Sequence, residues 1–225
     1  PPIRESTPTR PINPYGFTKL AIEQALADYA KAYGFGYAAL RYFNAAGAAG
    51  DATIGEDHTP ETHLIPIVLQ VALGQRDNIA VFGTDYPTPD GTCIRDYVHV
   101  EDLADAHVRV LDRLEPGRGL VYNVGTGTGA SVREVIEAAQ NVTHLPIATV
   151  DHPRREGDSP ALVASPDALM RDTGWSPRYV DIEAIIRSAW AWHSAHPQGF
   201  ASSSEGENES TPTFDQGEVA TEPLP

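Results

Sequence analysis

A tyrosine and a lysine stand four positions apart in the segment NPYGFTKL, residues 13–20, where they are Tyr15 and Lys19. Asn13 followed by Pro14 is typical of a helix start, and residues four apart share one face of a helix. A phenol ordinarily loses its proton near pH 10, but a fixed neighbouring cation and the positive end of a helix both favour the phenolate. The pair therefore predicts a general base that takes a proton from a hydroxyl group near neutral pH.

The alternative is an ordinary surface pair on a solvated helix. Two details favour the chemical interpretation. The chain has two lysines in all, Lys19 and Lys31, and one of them follows a tyrosine by four positions. That tyrosine also belongs to a defined helix entry.

A glycine-rich turn, GTGTGA at residues 125–130, follows a predicted strand and opens a predicted helix. It matches the G-x-G-x-x-G/A pattern of dinucleotide-binding loops, and Asp151 follows at about the right distance to meet a ribose. The other interpretation is a tight strand-to-helix turn built from residues that tolerate positive φ. Such a fingerprint normally lies in the first unit of its domain, whereas this one comes late in the chain. Taken by themselves, the residues leave both interpretations open.

Strands and helices alternate along the chain. Apolar residues at helical spacing, bounded by capping residues and glycines, predict helices at 14–33, 63–74, 101–114, 131–142, 165–174 and 181–196. Short apolar runs predict strands at 37–43, which should be buried, and at 79–83, 93–100, 120–125 and 147–151. Ser131 with Glu134 predicts a capping box, and Ser165 predicts a further helix cap. The alternation predicts an α/β fold.

Composition argues against several classes of function. The formal net charge of −15 disfavours general nucleic-acid binding, which depends on basic surfaces. No apolar run reaches about 18 residues, so a membrane span is not expected. A lone cysteine, Cys93, cannot form an internal disulfide and fits a reducing compartment, which predicts a cytoplasmic protein. The histidines show no metal-ligand spacing, so no metal is expected.

The C-terminal segment, residues 201–225, contains six acidic residues and no lysine or arginine. Such a polar, acidic segment cannot bury enough apolar surface to order itself. We expect a disordered acidic tail that follows one folded region, residues 1–200.

A family resemblance is carried by several segments in order. NPYGFTKLAIEQ resembles the catalytic helix of the extended short-chain dehydrogenase/reductase family, and the segments LRYFNAAGA, GTCIRDYVHVEDLADAH, YNVGTGTGASVREVI and PRREGDSPALVAS resemble the UDP-sugar 4-epimerases of that family. The resemblance runs from about Pro2 to Phe200. It implies the last part of a Rossmann-type NAD(P)-binding fold, incomplete in this chain, and a smaller α/β C-terminal subdomain that binds a UDP-sugar.

The resemblance also implies a reaction. Tyr15 would remove the proton of the sugar 4-hydroxyl, and Lys19 would hold the nicotinamide ribose and promote the phenolate. A hydride would pass from C4 to NAD and return to the other face of the 4-keto sugar, which interconverts UDP-galactose and UDP-glucose in galactose metabolism. Two alternatives stay open: a 4-epimerase of UDP-xylose/arabinose or UDP-N-acetylhexosamine, and a non-catalytic module that binds UDP-sugars.

Further site residues are implied by the same resemblance. Tyr42 and Phe43 would border the nicotinamide. The implied substrate contacts are Asn44, His63, Leu64, Ala80, Phe82, Arg95, Tyr97, Arg155, Asp158 and Leu162. Arg95 and Arg155 would bind the diphosphate, because guanidinium forks suit phosphate oxygens.

Some of these assignments have ordinary alternatives. Arg95 could pair with Asp96 or Asp102, and the aromatic residues could belong to the core. His63 stands where the family usually has asparagine. Leu162 is intermediate in size at a position that governs room for an N-acetyl group, so it does not decide the sugar.

In the family, the segment matching GTGTGA lies on the substrate side, and the glycine loop that holds NAD belongs upstream of residue 1. At about 30 residues per βαβ unit, roughly 100 residues or more would precede this chain. We therefore expect the 225-residue chain alone neither to hold NAD nor to epimerise, and we expect exposed apolar surface on the helix that carries Tyr15. The resemblance also allows a homodimer.

Overall fold

The computed structural model describes residues 2–200, and the predicted tail at 201–225 lies outside the described residues. Helices and strands alternate, which confirms the α/β class. The helices are α1 Pro14–Tyr33, α2 Leu64–Ala72, α3 Val100–Leu111, α4 Val132–Thr143, α5 Asp167–Thr173 and α6 Ile182–Ala195. The strands are β1 Tyr37–Tyr42, β2 Asn44–Ala46, β3 Ile79–Phe82, β4 Ile94–Arg95, β5 Tyr97–His99, β6 Gly119–Val124, β7 Ala130–Ser131, β8 Thr149–His152 and β9 Ala161–Leu162.

One half of the fold is built on the parallel pair β1–β6, in which Tyr37 lies opposite Gly119 and Tyr42 opposite Val124. Helices α1, α3 and α5 pack against this pair. A core cluster joins α3 and α5 to the strands and includes Val98, Val110, Tyr122, Val124, Leu169 and Trp175. Because the two strands are parallel, their carboxyl ends reach the same edge, where ligands bind in open α/β folds.

The other half is a layer of three mutually packed helices, α2, α4 and α6, which lies beside the parallel pair β3–β8. Its core cluster includes Val68, Leu69, Val81, Val135, Ile185 and Ile186. The helix α4 begins with the predicted capping box. The Ser131 hydroxyl accepts a hydrogen bond from the N–H of Glu134, and the Glu134 carboxylate accepts one from the N–H of Ser131.

Short strands join the two halves. β2 pairs in parallel with β5, and β4 lies between antiparallel β7 and parallel β9. The prediction of a single strand at 93–100 is wrong. Asp96 separates β4 from β5, and its carboxylate is buried in the interior. Within β5, successive side chains point to opposite faces, so Tyr97 packs in one core and Val98 in the other.

The helix α1 starts and ends as predicted. The side chain of Asn13 accepts a hydrogen bond from the N–H of Gly16 at 2.8 Å, and Gly34 ends the helix in the left-handed conformation with φ 74°. Several large apolar side chains of this helix are exposed to solvent: Tyr15, Phe17, Ile22, Tyr29 and Tyr33. The expected exposure of apolar surface on α1 is therefore confirmed.

Two further local predictions were wrong. The strand at 37–43 is half-buried, with Tyr42 53% exposed, because β1 pairs with β6 along one edge and no strand within residues 2–200 pairs with the other. Ser165 does not cap α5, since its hydroxyl donates to the carboxylate of Asp167 at 2.8 Å and Pro166 occupies the cap position.

Candidate active site

A cavity of about 930 Å³ lies where the two halves of the fold meet. Nine of the fourteen predicted site residues line it: Tyr15, Tyr42, Phe43, Asn44, His63, Leu64, Arg95, Tyr97 and Leu162. The other five, Lys19, Ala80, Phe82, Arg155 and Asp158, are not part of its wall. The residues brought together are up to 147 positions apart in the chain, from Tyr15 to Leu162.

Tyr15 and Lys19 lie side by side on the first turns of α1, as their spacing predicts. The Lys19 Nζ is 5.0 Å from the centroid of the Tyr15 ring. Tyr15 is 72% exposed and lines the cavity, so a ligand in the cavity can reach it. The ammonium of Lys19 thus lies over the ring of Tyr15, in a cation–π contact. The pair has the composition and placement of a general base at the edge of a binding pocket.

An ion pair between α1 and β1 fixes the helix that carries this pair. The guanidinium of Arg41 donates to both carboxylate oxygens of Glu23, at 2.7 and 2.6 Å. The hydrogen bond to Glu23 raises the pKa of Arg41, although partial burial opposes the shift. Sequence reasoning missed this pair. The signal was an arginine inside an otherwise apolar strand, next to a helix with a glutamate on its strand-facing side.

Backbone hydrogen bonds hold the cavity wall where β1 passes into β2. The N–H of Phe43 donates to the carbonyl of Val124 at 3.2 Å, and the N–H of Asn44 donates to the carbonyl of Asp96 at 2.9 Å. These bonds involve the backbone, and the side-chain amide of Asn44 remains exposed in the cavity wall. That amide can both donate to and accept from a ligand hydroxyl.

Arg95, on β4, lies in the cavity wall with 15% of its side chain exposed. One terminal nitrogen donates to the carbonyls of Ile94 and Ser159, at 2.8 and 2.9 Å. The other lies 3.3 Å from a carboxylate oxygen of Asp158. The alternative partners considered for this arginine, Asp96 and Asp102, are therefore not used. The predicted residues Arg95 and Asp158 form one unit, in which the carboxylate holds the guanidinium in place.

Phe82, the last residue of β3, forms a second unit with Arg155. The guanidinium carbon of Arg155 is 3.8 Å from the centroid of the Phe82 ring, a cation–π contact. His152, opposite Phe82 in the strand register, also flanks that ring, with 5.4 Å between centroids. The neighbouring Arg154 instead stacks on Tyr86. The two consecutive arginines thus have different surroundings, and Arg155 has an apolar platform.

The glycine-rich turn at 125–130 wraps around a carboxylate of the chain itself. Asp96 is fully buried and accepts hydrogen bonds from the N–H groups of Thr126 at 2.8 Å and Gly127 at 3.0 Å. A dinucleotide loop would offer such N–H groups to a pyrophosphate. A Cβ added to Gly125 would lie 2.5 Å from an Asp96 oxygen, so the glycine serves this internal contact. The turn does not fit a cofactor phosphate, and the structural interpretation of the motif is correct.

Polar residues that sequence reasoning missed also line the cavity near α2. Glu56 and His193 lie in the wall beside His63. Burial, with a smaller contribution from nearby Glu61, raises the pKa of Glu56. Burial lowers the pKa of His193. Glu56 belongs to a loop and His193 to α6, and no spacing along the chain links the two.

Two predicted residues in the wall, Tyr97 and Leu162, are buried to different degrees. Tyr97 is 6% exposed, and burial raises the pKa of its phenol. Leu162, on β9, is half-buried and lies opposite Arg95 in the strand register. Both side chains therefore contribute mainly to the shape of the cavity.

Comparison with known proteins places the chain in a family. A family model described as the NAD dependent epimerase/dehydratase family matches residues 1–125. The chain belongs to this family. Its α/β fold is the Rossmann-type fold expected from the sequence, since solved structures of UDP-glucose 4-epimerases superpose on most of the described chain.

Similar members of this family are UDP-glucose 4-epimerases. The enzyme of Halalkalibacterium halodurans is 53% identical over 201 residues, which are 89% of this chain and 60% of that enzyme. A crystal structure of a UDP-glucose 4-epimerase matches with a TM-score of 0.85 and 51% identity, over 89% of this chain and 61% of that one. The structure from Bifidobacterium longum, in complex with NAD⁺ and UDP, matches with a TM-score of 0.84 and 42% identity, over 88% of this chain and 60% of that one.

The chain thus spans about 60% of the length of the curated relatives it matches. Among residues 2–200, no helix is both long and apolar enough to cross a membrane.

Proposed function

We propose that the chain supplies the catalytic base and the UDP-sugar site of a UDP-glucose 4-epimerase, which interconverts UDP-galactose and UDP-glucose with NAD as cofactor. The observation that carries the proposal is the Tyr15–Lys19 pair at the edge of a cavity that also contains the guanidinium of Arg95. A base, a cation beside it and an anion-binding arginine facing one pocket suit proton removal from a sugar bound through its diphosphate.

In the proposed reaction, Tyr15 takes the proton of the sugar 4-hydroxyl and later returns it. Lys19 stabilises the phenolate between these events. The Arg41–Glu23 pair keeps α1 in place on β1, so that the phenol stays aimed at the pocket. Asn44, in the adjoining wall, orients sugar hydroxyls.

The nucleotide is held more firmly than the sugar. Arg95 binds the diphosphate with Asp158 keeping its fork oriented, and Arg155 adds a second cation on the Phe82 ring. A firm grip on UDP is needed because the sugar must turn over in the pocket between the two halves of the reaction. The Bifidobacterium longum relative, whose complex contains NAD⁺ and UDP, supports this substrate class.

NAD, when bound, supplies the hydride acceptor and donor for the sugar C4. The residues that fit its nicotinamide end are Tyr15, Lys19, Tyr42 and Phe43, because the last two lie at the carboxyl end of β1 beside the base. The glycine-rich turn at 125–130 does not fit its phosphates, since Asp96 occupies the N–H groups.

Two measurements test the proposal. Calorimetry should detect UDP binding to the 225-residue chain, and a turnover assay with UDP-galactose and NAD should detect no conversion, because residues 2–200 offer no fitting glycine loop for the cofactor phosphates. Absence of UDP binding would overturn the proposed substrate class. Conversion by the chain, lost in Tyr15→Phe, would overturn the expectation of inactivity and support the base.

The sugar is a finer question, and Leu162 bears on it. Its half-buried side chain forms part of the cavity wall, where a larger residue would narrow the pocket and a smaller one would widen it. UDP-galactose is the proposed substrate, and UDP-N-acetylhexosamines and UDP-xylose/arabinose are the alternatives. Competition of the three UDP-sugars against UDP in calorimetry ranks them on the same site.

We further propose a cytoplasmic location, which rests on the single cysteine, Cys93, buried as a free thiol. Pairing of two copies into a homodimer also stays a prediction.

A further inference from the structure

A cluster of imidazole and carboxylate groups lies on the loop before α2, at the rim of the cavity. The ligand atoms of His58, Glu61 and His63 all lie within 4.8 Å of one another. We propose that these three side chains bind a divalent transition-metal ion such as Zn²⁺. The inference goes beyond the proposed epimerase and does not depend on it.

The distances within the cluster suit one ion. A tetrahedral ion with ligands at about 2.0–2.1 Å holds those ligand atoms about 3.3 Å from each other. The His58 Nδ1 is 3.8 Å from the nearer Glu61 oxygen, and the His63 Nδ1 is 3.0 Å from the same oxygen. The His63 Nδ1 is also 2.6 Å from an oxygen of Glu56. These separations bracket the expected value, so small side-chain rotations are sufficient to coordinate an ion.

The carboxylate of Glu61 is held in place by the backbone. Its side chain is 4% exposed, and one oxygen accepts hydrogen bonds from the N–H groups of Thr62 at 2.6 Å and His63 at 2.7 Å. Both bonds, and the contact to the Nδ1 of His63, fall on this one oxygen, so the second carboxylate oxygen is the one with lone pairs left for a cation. A carboxylate that is already oriented loses little conformational freedom when it binds an ion.

One nitrogen faces two carboxylates in this cluster. The His63 Nδ1 lies between Glu56 and Glu61, and a single hydrogen on that nitrogen can be donated to one of them at a time. A dication at the same place satisfies both carboxylates and replaces the proton, which is the usual exchange when a metal binds.

The donor set selects the kind of ion. Two imidazole nitrogens with carboxylate oxygens suit Zn²⁺, Co²⁺ or Ni²⁺, whereas Mg²⁺ and Ca²⁺ prefer oxygen ligands alone. The side chains of His58 and His63 are 49% and 54% exposed, which leaves the ion a path from solvent. The three residues follow the pattern His-x-x-Glu-x-His on a loop. Their spacing along the chain did not predict a metal site, because the loop conformation is what brings the side chains together.

The test is calorimetric titration of the untagged 225-residue chain with ZnCl₂, followed by visible absorption of the Co²⁺ form, which reports coordination geometry. We expect one equivalent of Zn²⁺ to bind, with affinity weakened about tenfold or more in His58→Ala and in His58→Gln. Excess Mg²⁺ should not compete. The matched control is His107→Ala on α3, an exposed histidine outside the cluster, which should bind as the unaltered chain does.

His58 is half exposed, so its variants should fold, and circular dichroism checks that they do. The absence of saturable one-to-one Zn²⁺ binding would overturn the proposal. So would equal affinity in His58→Ala and the unaltered chain, because the cluster would then be an imidazole–carboxylate hydrogen-bond network without an ion. Neither result bears on UDP binding, which is measured separately.

Discussion

The carboxylate of Asp96 accepts a hydrogen bond from the backbone N–H of Gly127, with 3.0 Å between oxygen and nitrogen. This bond lies inside the turn whose sequence matches a dinucleotide-binding loop. The N–H groups that would meet a pyrophosphate meet a buried side chain of the same chain. A turn whose sequence matches a phosphate-binding loop therefore holds a carboxylate at the junction of the two halves of the fold.

Substitution of Asp96 by asparagine should destabilise the fold strongly. Its two oxygens accept from three backbone N–H groups and one hydroxyl, those of Thr126, Gly127 and Ala164. An amide NH₂ in this place would face donors, and loss of buried charged hydrogen bonds costs about 3 kcal/mol. Urea unfolding measures the change, and Asp112→Asn at an exposed position is the control, expected within about 0.5 kcal/mol of the unaltered chain. An equally small effect at Asp96 would contradict its structural role.

Removal of the Arg95 guanidinium should weaken UDP binding. A charged hydrogen bond contributes about 1.5–3 kcal/mol, so Arg95→Ala should raise the Kd for UDP by about tenfold to a hundredfold. Arg95→Lys should recover part of the loss, because it restores the charge without the fork. Arg118→Ala, at the opposite end of β6 from the cavity, should leave the Kd unchanged. Calorimetry measures the Kd of each variant. Equal losses of UDP affinity in both alanine variants would show that Arg95 does not bind UDP.

The pair Arg41–Glu23 should contribute measurable coupling between α1 and β1. The bond is bidentate, and the side chains are 26% and 22% exposed, so solvent screens it incompletely. A double-mutant cycle with Arg41→Met and Glu23→Gln should give a coupling free energy of about 1 kcal/mol in urea unfolding. The exposed pair Arg118–Glu115 provides a matched cycle, in which the coupling should be close to zero. Equal couplings in the two cycles would mean that the α1 pair does not hold the helix.

The buried histidine His99 should make stability fall in mild acid. Its Nδ1 accepts from the N–H of Glu101 at 3.1 Å, and its Nε2 lies 2.9 Å from the Ser188 hydroxyl. Burial lowers its pKa, against a smaller opposing effect of Glu101 and Asp102. Protonation at Nδ1 would set a donor against the N–H of Glu101. The neutral form is therefore the one that the fold favours.

The sign of the pH dependence follows from that lowered pKa. The unfolded chain binds a proton at His99 more readily than the folded chain, so the stabilisation is fully present above about pH 6.5 and is lost as the pH falls through the folded pKa. In urea unfolding between pH 7.5 and pH 5, His99→Gln should show a shallower loss of stability than the unaltered chain. His107→Gln, at an exposed site, should keep the original slope. Parallel curves for all three proteins would contradict the assignment.

The parts of the site that sequence could predict are local. Asn13, Pro14 and Gly34 fix the limits of α1 through bonds within a few residues, so the Tyr15–Lys19 geometry followed directly from spacing. The capping box of α4 was predictable for the same reason.

The parts that sequence could not predict join distant segments. Asp158 lies 63 positions from Arg95, and Gly127 lies 31 from Asp96, so neither contact has a signature in spacing. The same cause explains the strand predicted at 93–100. Its apolar pattern is continuous, but the buried bonds of Asp96 to a remote turn break it in two.

The exposed apolar side of α1 affects how firmly Tyr15, the proposed base, is held in position. Of this helix, Ala30 is buried, and the Arg41–Glu23 pair links the helix to β1. Helices with few buried contacts open locally at a lower free energy than the core. Any surface that covers Tyr29, Tyr33 and Ile22 would therefore also order the helix backbone that carries Tyr15. The fraction of molecules in which the phenol is in position then depends on which surface packs against the outer side of α1.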